Sequence, residues 1–345
     1  METDAQFEIR KKDHVRIALM PEAQASVSNG LDEVRLIHEA LPDISFNDVN
    51  ITKKVFGHRF NSPIFVSSMT GGYDNSFYIN SKLAEMCASK NWLLGTGSQR
   101  KELDSVEAQK EWKLITAQNP KLKLVSNIGI TQLLQYRPKE ILKIAENIKS
   151  LALFVHTNPL QEALQKEGTP NFKGALSALK ELAKASPVPV ILKEVGCGFS
   201  TETLARLNNC GLYAVDVSGL GGTHWGRIEG LRNQSEDIRF KSAITFKNWG
   251  ISTKQSLLNT KKVPITYKVW SSGGVRNGLD AAKLIAMGSE MVGMAKPILE
   301  CVMNPNEKLD MLFDQLEYEL KLSLFVTGCK SIDELFDNKK VVEWT

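Results

Sequence analysis

The chain lacks most of the features that mark secreted, membrane-bound or nucleic-acid-binding proteins. Its five cysteines, Cys87, Cys197, Cys210, Cys301 and Cys329, are odd in number, scattered and never spaced Cys-x-x-Cys, which argues against a disulfide framework and against a thiolate zinc site. No stretch approaches the roughly 20 uninterrupted apolar residues of a bilayer span, so no membrane partner is expected. The 43 basic and 39 acidic residues are well mixed and leave a net charge of only +4, which gives no support to a nucleic-acid surface. The polar start Met1-Glu2-Thr3-Asp4-Ala5 leads into no apolar core, so neither a secretory signal nor a transit peptide is expected, and a cytoplasmic location is. Linkers rich in Pro, Gly or Ser and low-complexity tracts are also missing, which favours one domain over the two that 345 residues would allow.

What is present is a repeat. Short apolar runs at Ile64–Ser67, Trp92–Gly95, Leu122–Ser126, Leu151–Val155, Val188–Lys193, Tyr213–Val217, Ile265–Trp270 and Met291–Gly293 read as strands. Amphipathic segments such as Ser105–Gln118, Lys139–Lys149, Gly174–Ala185 and Asp280–Met287 lie between them. Alternation of this kind implies parallel strands with right-handed crossovers, and continuously apolar strands such as Pro189-Val190-Ile191-Leu192 imply cover on both faces. The fold class predicted is α/β, a (β/α)8 TIM barrel over residues 61–300. An N-terminal extension (1–60) precedes it and a C-terminal helical segment (301–345) follows. The connection from Gly219 to about Lys254 is too long for a simple loop and is expected to be an insertion after the sixth strand, serving as lid or subunit contact.

In a barrel, chemistry sits just past the C-terminal ends of the strands. The last two strands end in Gly273-Gly274-Val275-Arg276 and Gly293-Met294-Ala295-Lys296-Pro297, where glycine lets backbone N–H groups converge on a phosphate and a helix N-terminus adds its dipole. Lys193 closes an apolar strand, so its ammonium is expected to be desolvated and to face an anion; a salt bridge to Glu194 or Asp216 is the alternative. Gln161 and Glu162 share one loop, the amide suited to orienting a substrate and the carboxylate to holding Mg²⁺, although an ordinary surface loop reads almost the same. His156 and His224 follow strands and are either functional or simply hydrogen-bonded. His14, beside Arg10-Lys11-Lys12, belongs to an anion site or to a solvated charged patch, and Arg100 follows a Gly-Thr-Gly-Ser turn suited to close approach of a ligand.

Taken together, Arg10-Lys11-Lys12-Asp13-His14, Met69-Thr70-Gly71-Gly72, Gly95-Thr96-Gly97-Ser98-Gln99-Arg100, Ser126-Asn127-Ile128-Gly129, His156-Thr157-Asn158-Pro159-Leu160-Gln161-Glu162, Lys193-Glu194-Val195-Gly196, Gly221-Gly222-Thr223-His224-Trp225 and Ser272-Gly273-Gly274-Val275-Arg276 resemble the flavin-dependent, type 2 isopentenyl-diphosphate isomerases. The resemblance implies conversion of isopentenyl to dimethylallyl diphosphate by a 1,3-proton shift with reduced FMN and Mg²⁺, NADPH serving only as flavin reductant. It implies FMN contacts at Ser68, Met69, Thr70, Ser98, Asn127, Lys193, Thr223, Gly273, Gly274, Arg276, Ala295 and Lys296. It implies substrate contacts at Arg10, Lys11, His14, Ser98, Gln99, Arg100, His156 and Gln161. Gln161, Lys193 and His156 would serve catalysis, Glu162 would hold the metal, and the assembly would be a homotetramer or homo-octamer. Asn277 stands where the family often has Thr, and Lys296 where Arg is frequent, so contacts to the FMN phosphate are expected to differ in detail. The competing readings are an FMN-dependent 2-hydroxy-acid oxidase or dehydrogenase, an inosine-monophosphate-dehydrogenase-like enzyme and a non-catalytic flavin-binding barrel. The first needs a His followed closely by Arg, which Ser218 to Trp225 does not supply. The second needs a nucleophilic Cys in a suitable loop, which the surroundings of Cys197 do not provide.

Overall fold

Eight parallel strands close into a ring in the computed structural model, which describes residues 4–69 and 76–344. They are β1 (Ile64–Val66), β2 (Leu93–Gly95), β3 (Lys123–Gly129), β4 (Ala152–Thr157), β5 (Val190–Glu194), β6 (Ala214–Asp216), β7 (Lys268–Trp270) and β8 (Val292–Met294). Each of the first seven strands pairs with its sequence neighbour except across the last junction, and β8 returns to β1 with Val292 opposite Ile64. The last junction is closed just past β7, where Ser271 N–H donates to Met291 O at 3.0 Å and Gly293 N–H to Ser271 O at 2.8 Å. All eight predicted strands are therefore found. β3 runs on to Gly129 because Asn127, Ile128 and Gly129 continue to pair with Phe154, Val155 and His156.

Strand periodicity explains why so short a set of strands makes a filled barrel. Phe65, Leu93, Val125, Phe154, Ile191, Ala214, Trp270 and Met291 form one cluster inside the ring, whereas Ile64, Val66, Leu94, Leu153, Val155, Leu192, Val215 and Val292 belong to the separate core beneath the helices. Phe65 packs on Trp270 (ring centroids 5.2 Å) and on Phe154 (6.0 Å). Below them the hairpin of Lys53–Val55 and His58–Phe60 seals the floor, with Phe56 against Trp270 at 5.8 Å. Two residues further along each strand the chain points inward again, at Ser67, Gly95, Asn127, His156, Lys193, Asp216, Ser272 and Gly293. Polar and small groups thus replace apolar ones at the C-terminal rim, directly above a packed interior.

Six helices position the rim: α1 (Asp4–Ala18), α2 (Pro159–Leu164), α3 (Trp225–Leu231), α4 (Gly278–Ala286), α5 (Lys296–Met303) and α6 (Leu309–Val326). Phe7, Arg10, Lys11, His14, Val15 and Ala18 recur three and four apart, so one face of α1 meets the rim. The connection after β6 holds α3 and two further helices, Ile238–Thr245 and Thr253–Thr260. The end of the chain departs from the all-helical tail expected: Val342–Trp344 forms an antiparallel pair with Val34–Leu36, tying the C-terminus to the N-terminal extension. Among the described residues no helix is long and apolar enough to cross a membrane.

Candidate active site

A cavity opens above the polar layer. It is lined by Arg10, Lys11, His14, Ser68, Met69, Ser98, Arg100, Asn127, His156, Gln161, Glu162, Lys193, Thr223, Gly273, Gly274, Arg276, Ala295 and Lys296. Of the residues predicted for the site, Gln99 is not brought to the cavity and Thr70 lies outside the described residues.

One wall suits a phosphorylated, anionic cofactor. Lys193 is buried, and its Nζ donates to the Glu194 carbonyl at 3.2 Å. Burial lowers its pKa, against the raising influence of Asp216 and Glu194. Neither acid is its ion-pair partner among the described residues. Glu194 Oε2 accepts the backbone N–H groups of Val195 and Gly196, both at 2.7 Å, and Asp216 accepts the Ser272 hydroxyl at 2.9 Å. Among the described residues the Ser67 and Ser68 hydroxyls are buried without a hydrogen-bond partner, a costly state that an incoming polar ligand relieves. Gly274 sits at φ +72, and a Cβ at Gly293 would lie 2.4 Å from Ser67 Oγ, so both positions depend on the missing side chain. Helix α5 begins without a side-chain cap, with Ala295 and Lys296 at the cavity, so its first N–H groups and dipole face the ligand space. Gln24 Oε1 accepts from Thr223 Oγ1 at 3.3 Å and from Arg276 Nη2 at 3.4 Å, holding that corner together. The two departures from the family pattern have local explanations. Asn277 caps α4 by accepting from Asp280 N–H at 2.8 Å, and Lys296 pairs with Glu300 one turn on.

The same cavity also carries the cations and the Gln161 loop. Arg10, Lys11 and His14 are buried against it, and Arg100 reaches in from the turn after β2. His156 Nδ1 lies 2.9 Å from Asn127 Oδ1, and Asn127 Nδ2 donates to the Thr96 carbonyl at 3.2 Å. That orients the amide so that the imidazole proton sits on Nδ1. Burial, then the charges of Lys193, Lys11 and Arg100, push the His156 pKa down to about 3, leaving the ring neutral at physiological pH. Asn158 caps α2 by accepting from Gln161 N–H at 2.8 Å, which fixes where Gln161 and Glu162 emerge. Burial raises the Glu162 pKa, while the Thr169 N–H at 2.8 Å and the Arg100 charge act the other way.

Sequence reasoning missed the group that organises this part of the cavity. Glu229 on α3 is fully buried, accepts from Arg232 Nη1 at 2.6 Å and from Gln161 Nε2 at 3.1 Å, and stands 2.9 Å from His14 Nε2. Burial lowers the His14 pKa, and the Glu229 carboxylate works against that shift. Burial works against the Glu229 charge, but His14 and Arg232 outweigh it and hold the carboxyl down at about 2. His14 also stacks edge-on with Trp225 (centroids 5.2 Å). No spacing rule links Gln161 to Glu229; only the fold does. Ser67 and Ser272, by contrast, were findable from the alternation of the strands.

Gln99 and the candidate His224 have their polar atoms engaged within the protein. Gln99 is buried behind the wall: its Oε1 accepts from Thr96 Oγ1 at 3.0 Å and Asn127 N–H at 3.1 Å, and its Nε2 donates to Glu102 at 3.0 Å. With both ends of its amide engaged, it supports Asn127 instead of facing a ligand. His224 accepts from Arg227 N–H at Nδ1 (3.2 Å), while its Nε2 meets the Trp249 carbonyl (3.0 Å), making it the cap of α3.

Residues 104–343 match the FMN-dependent dehydrogenase family. The chain is 49% identical to an isopentenyl-diphosphate delta-isomerase of Bdellovibrio bacteriovorus over 99% of both chains. It is 48% identical to the enzyme of that name from Legionella pneumophila, covering 96% of this chain and 97% of the other. Among solved structures it resembles a flavocytochrome b2 variant (TM-score 0.66, 18% identity, 99% of this chain and 84% of that one) and a mandelate oxidase variant (TM-score 0.62, 15% identity, 98% and 95%), which establishes the shared barrel alone. A flavin-type phosphate cradle and a group of cations around one cavity, with near-identity in length to these relatives, lead to one assignment: the chain belongs to the type 2, FMN-dependent isopentenyl-diphosphate delta-isomerases.

Proposed function

We propose that the protein moves the double bond of isopentenyl diphosphate by a 1,3-proton shift, using reduced FMN and Mg²⁺, with NADPH acting only as flavin reductant. The observation that carries this reading is that Lys193 and Gln161 line the same cavity as the phosphate cradle and the cations. Reduced FMN, when bound, supplies a negatively charged ring able to carry a proton beside the alkene. Ser68, Met69, Thr70, Ser98, Asn127, Thr223, Gly273, Gly274, Arg276, Ala295 and Lys296 would hold the cofactor, and the Lys193 ammonium would balance its charge.

Arg10, Lys11 and Arg100 would grip the diphosphate, with Ser98 and His14 at the edge of the grip. Neutral His156 would stand beside it and leave the positive charge to those three side chains. Among the described residues Glu162 belongs to no cluster of three His, Cys, Asp or Glu side chains able to hold a metal. A Mg²⁺ ion there would take one protein carboxylate and complete its shell with diphosphate oxygens and water. The Gln161 amide, held by Glu229, would orient the olefin. Exclusion of water matters because a cationic carbon developing near the diphosphate would otherwise be captured. We further propose a cytoplasmic homotetramer or homo-octamer.

The test is anaerobic incubation of the FMN-reduced protein with Mg²⁺ and isopentenyl diphosphate, with product analysed by nuclear magnetic resonance. Appearance of the dimethylallyl isomer supports the assignment. Unchanged substrate under conditions where the protein is folded and flavin-loaded overturns it.

A further inference from the structure

The cations of the site gather around an aromatic ring with no part in the chemistry described above. Phe7 on α1 is buried and lines the cavity. Around its ring stand Arg10 (4.9 Å from the centroid), Lys101 (5.1 Å), Lys11 (5.4 Å) and Arg100 (6.0 Å). Two of these cations share α1 with it, three and four residues on, where helix geometry sets side chains side by side. The other two come from the turn after β2, so the ring sits at the junction of two separate chain segments.

Like charges gathered in a partly buried space repel one another, so a group that attracts several of them at once favours their assembly. An aromatic ring counters this, because its faces carry negative electrostatic potential and cations within about 6 Å of the centroid are attracted to them. An aliphatic side chain of similar bulk fills the same space without that attraction. From this geometry we infer that Phe7 is a positioning residue that gathers Arg10, Lys11, Arg100 and Lys101 into a preformed clamp for the diphosphate. The inference rests on the reading of these cations as the diphosphate site and adds to it a residue that touches the clamp rather than the reacting atoms.

The experiment uses FMN-loaded, full-length protein with Mg²⁺ and inorganic pyrophosphate as the probe, titrated calorimetrically against the parent, Phe7→Leu and Phe7→Tyr. Phe7→Leu is expected to raise the pyrophosphate Kd roughly five- to tenfold, from loss of the ring's attraction for several cations. The KM for isopentenyl diphosphate should rise by a similar factor while kcat moves much less. Phe7→Tyr, which keeps the ring, is expected to stay within about twofold of the parent. Equal affinity in the parent and Phe7→Leu overturns the inference. So does an equal loss in the Leu and Tyr variants, which would make the role one of shape. A parent that isomerises substrate but binds no pyrophosphate also overturns it while leaving the isomerase reading in place; a parent that neither isomerises nor binds pyrophosphate overturns both.

Discussion

Replacing Glu229 with Gln tests how the Gln161 wall is held. The carboxylate offers Oε2 to Arg232 and Oε1 to Gln161 and His14. A carboxamide keeps one acceptor. If its oxygen stays on Arg232, its NH2 group meets the Gln161 NH2 group, and Gln161 must turn its amide over and present the wrong end to the substrate. The expected result is a fall in kcat of about 10- to 100-fold, the size associated with losing one or two hydrogen bonds of about 1.4 kcal/mol each, with FMN still bound.

Stability gives an independent readout. With the folded-state pKa held at about 2 against an ordinary 4.5, the depressed carboxyl contributes about 3 kcal/mol at neutral pH. A depressed carboxyl contributes above its unfolded pKa and loses that contribution as pH falls toward the folded value. Its share should therefore drop to about 2 kcal/mol by pH 3.5. Urea unfolding of both proteins at pH 7 and pH 3.5 should show the gap between parent and Glu229→Gln narrowing by about 1 kcal/mol. A gap that does not change with pH, together with unchanged kcat, would refute the reasoning.

Three other substitutions probe separate parts of the site. Gln99→Leu should leave the direct diphosphate grip in place but free Asn127 and the His156 ring, costing about 1 to 3 kcal/mol of stability from the unsatisfied Glu102 and Asn127 groups, read as a lower Tm. Glu162→Gln should shift the Mg²⁺ activation curve to higher concentration by about tenfold, and an unchanged curve places the cation elsewhere. Gly293→Ala drives a methyl to 2.4 Å from Ser67 Oγ and 2.7 Å from Phe65 Cζ, so FMN retention on gel filtration should fall while far-ultraviolet circular dichroism persists.

The barrel was legible because its strands are continuously apolar and each ends in a change of character, from Phe154 to His156 or from Ile191 to Lys193. Contacts made within one rim loop were also legible, as with Gln161 and Glu162 following the Asn158 cap. Contacts between distant elements were not. Glu229 lies on an unremarkable helix and acquires its role only when α3 packs beside α2 and α1. Gln99 sits between Ser98 and Arg100, both at the cavity, yet the turn there directs its side chain backward onto Thr96 and Asn127. The strand Val342–Trp344 escaped notice because three residues carry little pattern and depend on pairing with Val34–Leu36.

The central claim is that the cavity catalyses a rearrangement without net oxidation. It is tested most directly by counting dimethylallyl diphosphate formed per NADPH consumed under strict anaerobiosis, starting from one equivalent of NADPH per enzyme-bound FMN. Many turnovers per NADPH are predicted. Product that stops at one per NADPH, or an oxidised product in its place, would contradict the account.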